Sequence, residues 1–108
     1  MRAVTPDFAA LRTIDRLVMV TAPGATTDIV SRVFAAYHGI DEDPVTGSAH
    51  AALVPFWAAR LGTTKFSALQ ASKRSGRIDC DYRAGASDSG RVRLGGNAVT
   101  VIEGRFRL

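Results

Sequence analysis

The chain has 108 residues, which is the length of one domain and enough to bury a single modest core. Apolar residues make up 46% and charged residues 22%, a profile that excludes a disordered chain. No apolar run approaches the roughly 20 residues of a membrane span, and charges interrupt the N-terminal segment where a signal peptide would need an apolar core, so we expect a cytoplasmic protein.

Charge and cysteine content limit the partners. The net charge is +4, and 12 of the 14 basic residues are arginines. These arginines are scattered, except in the short segment 72–77, which argues against a nucleic-acid-binding protein and leaves small acidic molecules as partners. Cys80 is the only cysteine and the only histidines are His38 and His50, so we expect no disulfide and no metal site.

The first third of the chain predicts one helix and two strands. Thr5 and Pro6 form a favoured pair of N-cap and first helical residue, and the apolar spacing after them predicts a helix over residues 6–14. The apolar run 16–22 and the β-branched segment 29–35 each predict a strand.

Residues 47–61 predict a helix that is apolar on nearly all sides. Gly62 follows at the position where glycine commonly ends a helix, and Pro55 removes one backbone hydrogen bond without ending it. Because a helix that is apolar all round needs cover on every side, we expect strands to wrap around it.

The last third of the chain has strand patterns. Alternating or β-branched residues predict strands over 66–72, 76–83, 91–96 and 98–108. The whole chain, residues 1–108, is therefore predicted to form a single α+β domain, with a barrel-like, mostly antiparallel sheet around one buried central helix.

The segment "IDEDPVTGSAH" at residues 40–50 is the candidate functional stretch. A helix N-terminus has unpaired backbone N–H groups and the positive end of the helix dipole, which together attract carboxylate or phosphate. Gly47 lets a ligand approach the backbone closely, and Ser48 adds a hydroxyl group. Asp43 could cap the helix, or it could face the same anion as a proton-handling group.

Structural roles are the alternative for each of these residue types. Asp, Thr and Ser before a helix are ordinary caps. Asp41 and Glu42 are interpreted as solvated acids near the helix dipole, and His50 as a hydrogen-bonded core histidine. Cys80 is interpreted as a packed or partly exposed thiol without an activating histidine. Phe56 and Trp57 are predicted to be core residues.

Three segments in order, "GIDEDPVTGSAHAALVPFWAARLG", "LQASKRSGRI" and "RVRLGGNAVTVIEG", resemble the C-terminal part of the PhzF-like family of phenazine biosynthesis proteins. The resemblance runs from Pro6 to Leu108, and "EDPVTGSAH" is its most specific piece. It implies one half of a diaminopimelate epimerase-like fold, in which two similar halves each wrap a sheet around a central helix. The active site would then lie in the cleft between the halves.

The resemblance also implies a function. Members of the family are cofactor-independent isomerases or epimerase-like enzymes that move protons on small carboxylated metabolites. Asp43 matches the acid of the family motif, and Gly47 and Ser48 match its backbone and hydroxyl contacts to the substrate. Thr46, taken with them as a substrate-binding residue, lies near the position where related amino-acid epimerases keep a catalytic cysteine, so a two-thiol mechanism is not available.

Family members are longer, and their N-terminal half supplies the principal proton-shuttling glutamate and a Gly-His motif. Glu42 and Glu103 do not match the context of that glutamate. We therefore expect a homodimer or higher oligomer, or association with a separately encoded N-terminal half, to complete the site. The alternative function is a non-catalytic remnant that binds a carboxylate.

Overall fold

The computed structural model describes residues 1, 3–85 and 90–107. The elements, in chain order, are α1 (Phe8–Leu11), β1 (Val18–Pro23), β2 (Ile29–Phe34), a 3-10 turn (Ala36–His38), α2 (Gly47–Leu61), β3 (Lys65–Gln70), β4 (Gly76–Arg83) and β5 (Arg91–Gly95). The five strands form one sheet in the order β1-β2-β3-β4-β5. The predicted α+β class and central helix are confirmed.

Neighbouring strands are antiparallel except β2 and β3, which are parallel. Parallel strands cannot be joined by a tight turn, and here the connection between them carries α2. The crossover therefore lays α2 against the sheet. The core between helix and sheet contains Ile29, Leu53, Val54, Trp57, Ala58, Phe66, Ala68, Ile78 and Cys80.

The bounds of α2 agree with the sequence prediction, but its burial does not. The helix ends at Gly62, whose φ of 65° lies in the left-handed region that glycine adopts without strain. One face is buried, and Trp57 on that face is 8% exposed. The opposite face is open, with Phe56 44% exposed. The expectation of cover on all sides is wrong for the described residues, because a single sheet packs against one face of the helix.

The first helix is shorter than predicted. It spans Phe8–Leu11 rather than residues 6–14. Asp7, not Thr5, is its N-cap, because the Asp7 carboxylate accepts a hydrogen bond from the Ala10 N–H at 3.1 Å.

The predicted strand over residues 98–108 is wrong across its described part. Residues 96–107 have no strand or helix, and Leu108 lies outside the described residues. The alternating apolar residues in this segment are 85–99% exposed: Val99, Val101, Ile102 and Phe106. Alternation gives a segment the pattern of a strand, but a strand forms only where a neighbouring strand completes its hydrogen bonds.

Candidate functional site

The first two acids of the "DED" stretch are held by arginines. An oxygen of Asp41 lies 2.6 Å from Nη2 of Arg12, at the protein surface. Glu42 accepts two hydrogen bonds from the guanidinium of Arg32, at 2.7 and 3.0 Å, and its side chain is only 18% exposed. These bonds raise the pKa of Arg32. The interpretation of Glu42 as a solvated acid is therefore wrong, because a paired arginine replaces the water around it.

The third acid, Asp43, is fixed through both its backbone and its side chain. Its N–H donates to the carbonyl of Val33 at 3.0 Å, and its carboxylate accepts a hydrogen bond from the hydroxyl of Thr46. Because the Thr46 side chain is used in this way, it makes no capping bond to α2. Within the described part of the chain, no acceptor takes the N–H of Gly47 or Ser48. The helix thus begins with exposed, unpaired donors.

A fully buried glutamine connects this loop to the sheet. Gln70, the last residue of β3, is 0% exposed. Its Oε1 accepts a hydrogen bond from the Thr46 N–H at 2.7 Å, and its Nε2 donates to the Asp43 carbonyl at 2.7 Å. The same Nε2 lies 3.2 Å from the Thr46 hydroxyl oxygen. The N–H of Thr46 is therefore not available to a ligand.

His50 holds the same residue from the other side. Its Nδ1 donates to the carbonyl of Thr46 at 2.8 Å, which leaves Nε2 to accept from the Ser31 hydroxyl at 3.2 Å. Burial lowers the pKa of His50, and the bond to Thr46 offsets only part of that effect. The interpretation of His50 as a hydrogen-bonded core histidine is confirmed.

A cleft of about 690 Å³ opens beside the N-terminus of α2. The cleft is lined by the loop before α2 and its first residue, by the turn between β3 and β4 and the start of β4, and by the end of β5 with the two residues after it: Asp43, Pro44, Val45, Gly47, Arg74, Ser75, Gly76, Arg77, Ile78, Leu94, Gly95, Gly96 and Asn97. Of the four predicted site residues, Asp43 and Gly47 line this cleft. Thr46 and Ser48 do not, although Ser48 is exposed beside it. The catalytic role of Asp43 and the substrate-binding roles of the other three residues stay predictions.

The cleft combines donors and positive charge with one acid. The N–H of Gly47 and the positive end of the α2 dipole lie on one wall. Arg74 and Arg77, two exposed basic residues, also line the cleft. This arrangement can hold a small anion close to the Asp43 carboxylate, which is the only acidic residue lining the cleft in the described part of the chain.

The turn between β3 and β4 contacts the loop before α2 at two further points. The Ser72 hydroxyl donates to the carbonyl of Pro44 at 2.8 Å. A Cβ added at Gly76 would overlap the side chain of Val45, so a glycine lets the loop lie against the turn. The functional assignment from sequence missed Gln70, Ser72 and Gly76, although all three belong to the segment "LQASKRSGRI" that carries part of the family resemblance.

Cys80 is a core residue, as predicted. It is 3% exposed, and burial, with smaller contributions from Asp79 and Asp28, raises its pKa to about 11. Such a thiol is not an effective nucleophile at neutral pH. Among residues 1, 3–85 and 90–107, no group of three His, Cys, Asp or Glu side chains could hold a metal ion. The helices in those ranges are too short or too polar to cross a bilayer.

The phenazine biosynthesis-like protein family (PhzC-PhzF) matches residues 1–104. An uncharacterized isomerase of Pseudomonas aeruginosa is 49% identical to this chain over 109 residues, which cover all of the chain and 40% of the relative. A human phenazine biosynthesis-like domain-containing protein is 44% identical over 85 residues, covering 76% of the chain and 28% of the relative.

A solved structure of a PhzF family protein has the same fold as this chain. The crystal structure of a PhzF family protein from Enterococcus faecalis superposes with a TM-score of 0.81 and 44% identity. The match covers 98% of this chain and 40% of that protein. The chain therefore spans about 40% of the length of these two bacterial proteins, as expected for one half of the fold.

Proposed function

Because the chain belongs to the PhzC-PhzF family of phenazine biosynthesis-like proteins, we propose that it forms one wall of the active site of a cofactor-independent isomerase. In this proposal a small carboxylated metabolite binds at the N-terminus of α2. A second half, from another copy or another chain, completes the machinery for proton transfer.

The unpaired N–H groups of Gly47 and Ser48 carry the binding part of the proposal. They lie at the positive end of a 15-residue helix and beside an open cleft. A carboxylate there accepts hydrogen bonds from donors that no other described group uses. Arg74 and Arg77, which also line the cleft, add positive charge.

Asp43 is the candidate proton-handling residue. Its backbone is held by Val33 and Gln70, and its carboxylate by the hydroxyl of Thr46. A carboxylate has a second oxygen and further lone pairs, so this bond leaves it able to accept a substrate proton. Proton transfer requires such a group to be positioned in advance within hydrogen-bond distance of the substrate.

Two exposed apolar surfaces support the need for a second half. The outer face of α2 presents Phe56, and the segment 96–107 presents four strongly exposed apolar side chains. Isolated exposed apolar residues are ordinary, but contiguous apolar patches mark surfaces that another chain covers. The length of the bacterial relatives, of which this chain spans about 40%, is consistent with such a partner.

A carboxylate-binding module without chemistry is the second candidate. The observation that favours it is the bond between Thr46 and Asp43, which gives the acid a structural role within this chain alone. The two candidates differ in one outcome, because only the isomerase exchanges a carbon-bound hydrogen of its ligand with solvent.

Proton NMR in deuterated water tests the proposal. The chain is incubated, over a range of concentrations, with small carboxylated amino acids and with cyclohexadiene carboxylic acids. We expect deuterium to enter the ligand at an initial rate that rises more steeply than the chain concentration, since assembly completes the site. Asp43→Asn should abolish the exchange, whereas Asp41→Asn, which removes the adjacent surface acid, should retain it.

Two outcomes separate the candidates. Ligand binding without deuterium incorporation at any concentration would support the binding module. Incorporation that survives Asp43→Asn would contradict the role assigned to Asp43.

A further inference from the structure

We propose that Gln70 is a positioning residue of this site, which sets the orientation of the loop at residues 43–46 and thereby selects the backbone donors that face the cleft. The inference rests on the proposed function, since it assumes that an anion binds at the N-terminus of α2.

The hydrogen bonds of Gln70 run to the loop. Its Oε1 accepts from the Thr46 N–H, and its Nε2 donates to the Asp43 carbonyl and to the Thr46 hydroxyl. The side chain is completely buried, so no water competes for these bonds. One amide group thus connects the residue that begins the loop, Asp43, with the residue at the N-cap position of α2, Thr46.

The effect on the donors follows from the peptide plane. In a trans peptide unit, the C=O of Thr46 and the N–H of Gly47 point in opposite directions. The Thr46 carbonyl is held by the His50 ring at 2.8 Å and by the His50 N–H at 3.3 Å, both inside the first turn of α2. The Gly47 N–H is therefore directed away from the helix.

Gln70 fixes the preceding peptide unit in the same way. It turns the Thr46 N–H inward, where Oε1 of Gln70 accepts its hydrogen bond. The Gly47 N–H is then the first backbone donor that points outward. The same amide donates to the Asp43 carbonyl, so the position of Asp43 relative to the Gly47 N–H is fixed. If Gln70 only supplied hydrogen-bond partners to buried polar groups, its substitution would lower stability without changing the position of Asp43 relative to the Gly47 N–H.

Backbone amide exchange and carboxylate binding, both followed by NMR, test the inference with the 108-residue chain and with benzoate as the probe. Gln70→Met preserves the size of the side chain but removes its hydrogen bonds. We expect the Thr46 amide to exchange about tenfold faster relative to core amides, and the benzoate dissociation constant to rise about tenfold.

Phe66→Leu is the matched control. It removes buried apolar volume from the other end of β3, away from the loop. We expect it to lower stability while leaving the relative exchange of the Thr46 amide and the benzoate affinity unchanged. Gln70→Glu keeps an acceptor for the Thr46 N–H, and its carboxyl can donate to the Asp43 carbonyl only when it is protonated, so its affinity should fall between those of the wild type and Gln70→Met. It also serves as the test variant if Gln70→Met does not fold.

The outcomes are distinguishable. An unchanged benzoate affinity in a destabilised Gln70→Met would overturn the positioning role, and so would an unchanged exchange rate of the Thr46 amide. If the wild type itself fails to bind benzoate, the proposed anion site and the positioning role toward it are both contradicted. Faster Thr46 exchange in Gln70→Met would then show that Gln70 orders the loop for stability alone.

Discussion

One face of α2 is packed against the sheet, and the opposite face is exposed. At its N-terminus and along its inner face, buried side chains from β2 and β3 hold it by hydrogen bonds and packing, as Ser31 and Gln70 illustrate. Along its outer face apolar residues such as Phe56 are open. Adjacent residues of one helix therefore differ fivefold in exposure, since Phe56 is 44% and Trp57 8% exposed.

This difference separates the part of the helix that is packed within the described residues from the part that stays exposed. The inner face and the loop before α2 are complete within the described residues, and no buried side-chain polar atom there lacks a hydrogen-bond partner. The outer face and the segment 96–107 have apolar side chains that the other described residues leave exposed. In the proposed function, a second half would cover these side chains.

Truncating the two adjacent aromatic residues, Trp57 and Phe56, should give the largest difference in stability between the two faces of α2. Trp57→Ala removes a buried indole that also donates to the Thr21 hydroxyl at 2.9 Å, and we expect a loss of about 3–5 kcal/mol in the free energy of unfolding. Phe56→Ala should cost less than about 1 kcal/mol in the isolated chain. Urea unfolding at low protein concentration measures both, and equal losses would contradict the one-sided packing of α2.

The two arginine–acid pairs before α2 should differ almost as clearly. Arg32→Met leaves Glu42 half-buried and unpaired, and we expect a loss of about 2–3 kcal/mol. Arg12→Met breaks the exposed pair with Asp41 and should cost no more than about 0.5 kcal/mol. Thermal unfolding of the two variants under one buffer gives the ranking, and the reverse order would show that the Arg32 pair does not hold the loop.

The contact between the β3–β4 turn and the loop should produce a smaller effect that can be reversed. Gly76→Ala pushes against Val45, and we expect a loss of about 1–2 kcal/mol. Adding Val45→Ala makes space and should recover most of it. Gly96→Ala is the control, because its new methyl group meets only the Arg77 carbonyl at an ordinary distance of 3.8 Å. Failure of the double variant to recover stability would rule out the Val45 contact as the cause.

Acidification should lower the free energy of unfolding, because His50 is buried on the inner side of α2. Burial lowers its pKa in the folded state, so as the pH falls below about 6.5 the unfolded chain takes up the proton first. Stability is complete above that pH and is lost below it, by at most about 1.4 kcal/mol per pH unit. Urea unfolding between pH 7 and pH 5 should show this slope for the wild type. In His50→Gln the slope should be smaller, and equal slopes would mean that the pKa of His50 is the same in the folded and unfolded states.

Local patterns were sufficient to predict most of the fold. The bounds of α2 and β4, and the stop at Gly62, follow from apolar runs and glycine positions. The strand at 98–108 was predicted wrongly across its described part, because an apolar pattern alone does not supply the neighbouring strand that completes a strand's hydrogen bonds. The cover of α2 was overestimated for the same reason.

The candidate site was predictable only in part. The sequence "DPVTGS" across the start of a helix predicts an anion site from sequence alone. The pairing of Glu42 with Arg32 and the reach of Gln70 to Thr46 join segments 10 and 24 residues apart, which no local pattern encodes. Such long-range partners become visible only when β2 and β3 are placed beside the helix.

A titration of the 108-residue chain with benzoate, followed by two-dimensional amide NMR, tests the central claim most directly. We predict saturable shifts concentrated at the amides of Gly47 and Ser48, little change at Thr46, and none of this response with uncharged benzamide. Shifts that are absent at Gly47, or that appear equally with benzamide, would contradict an anion site at the start of α2.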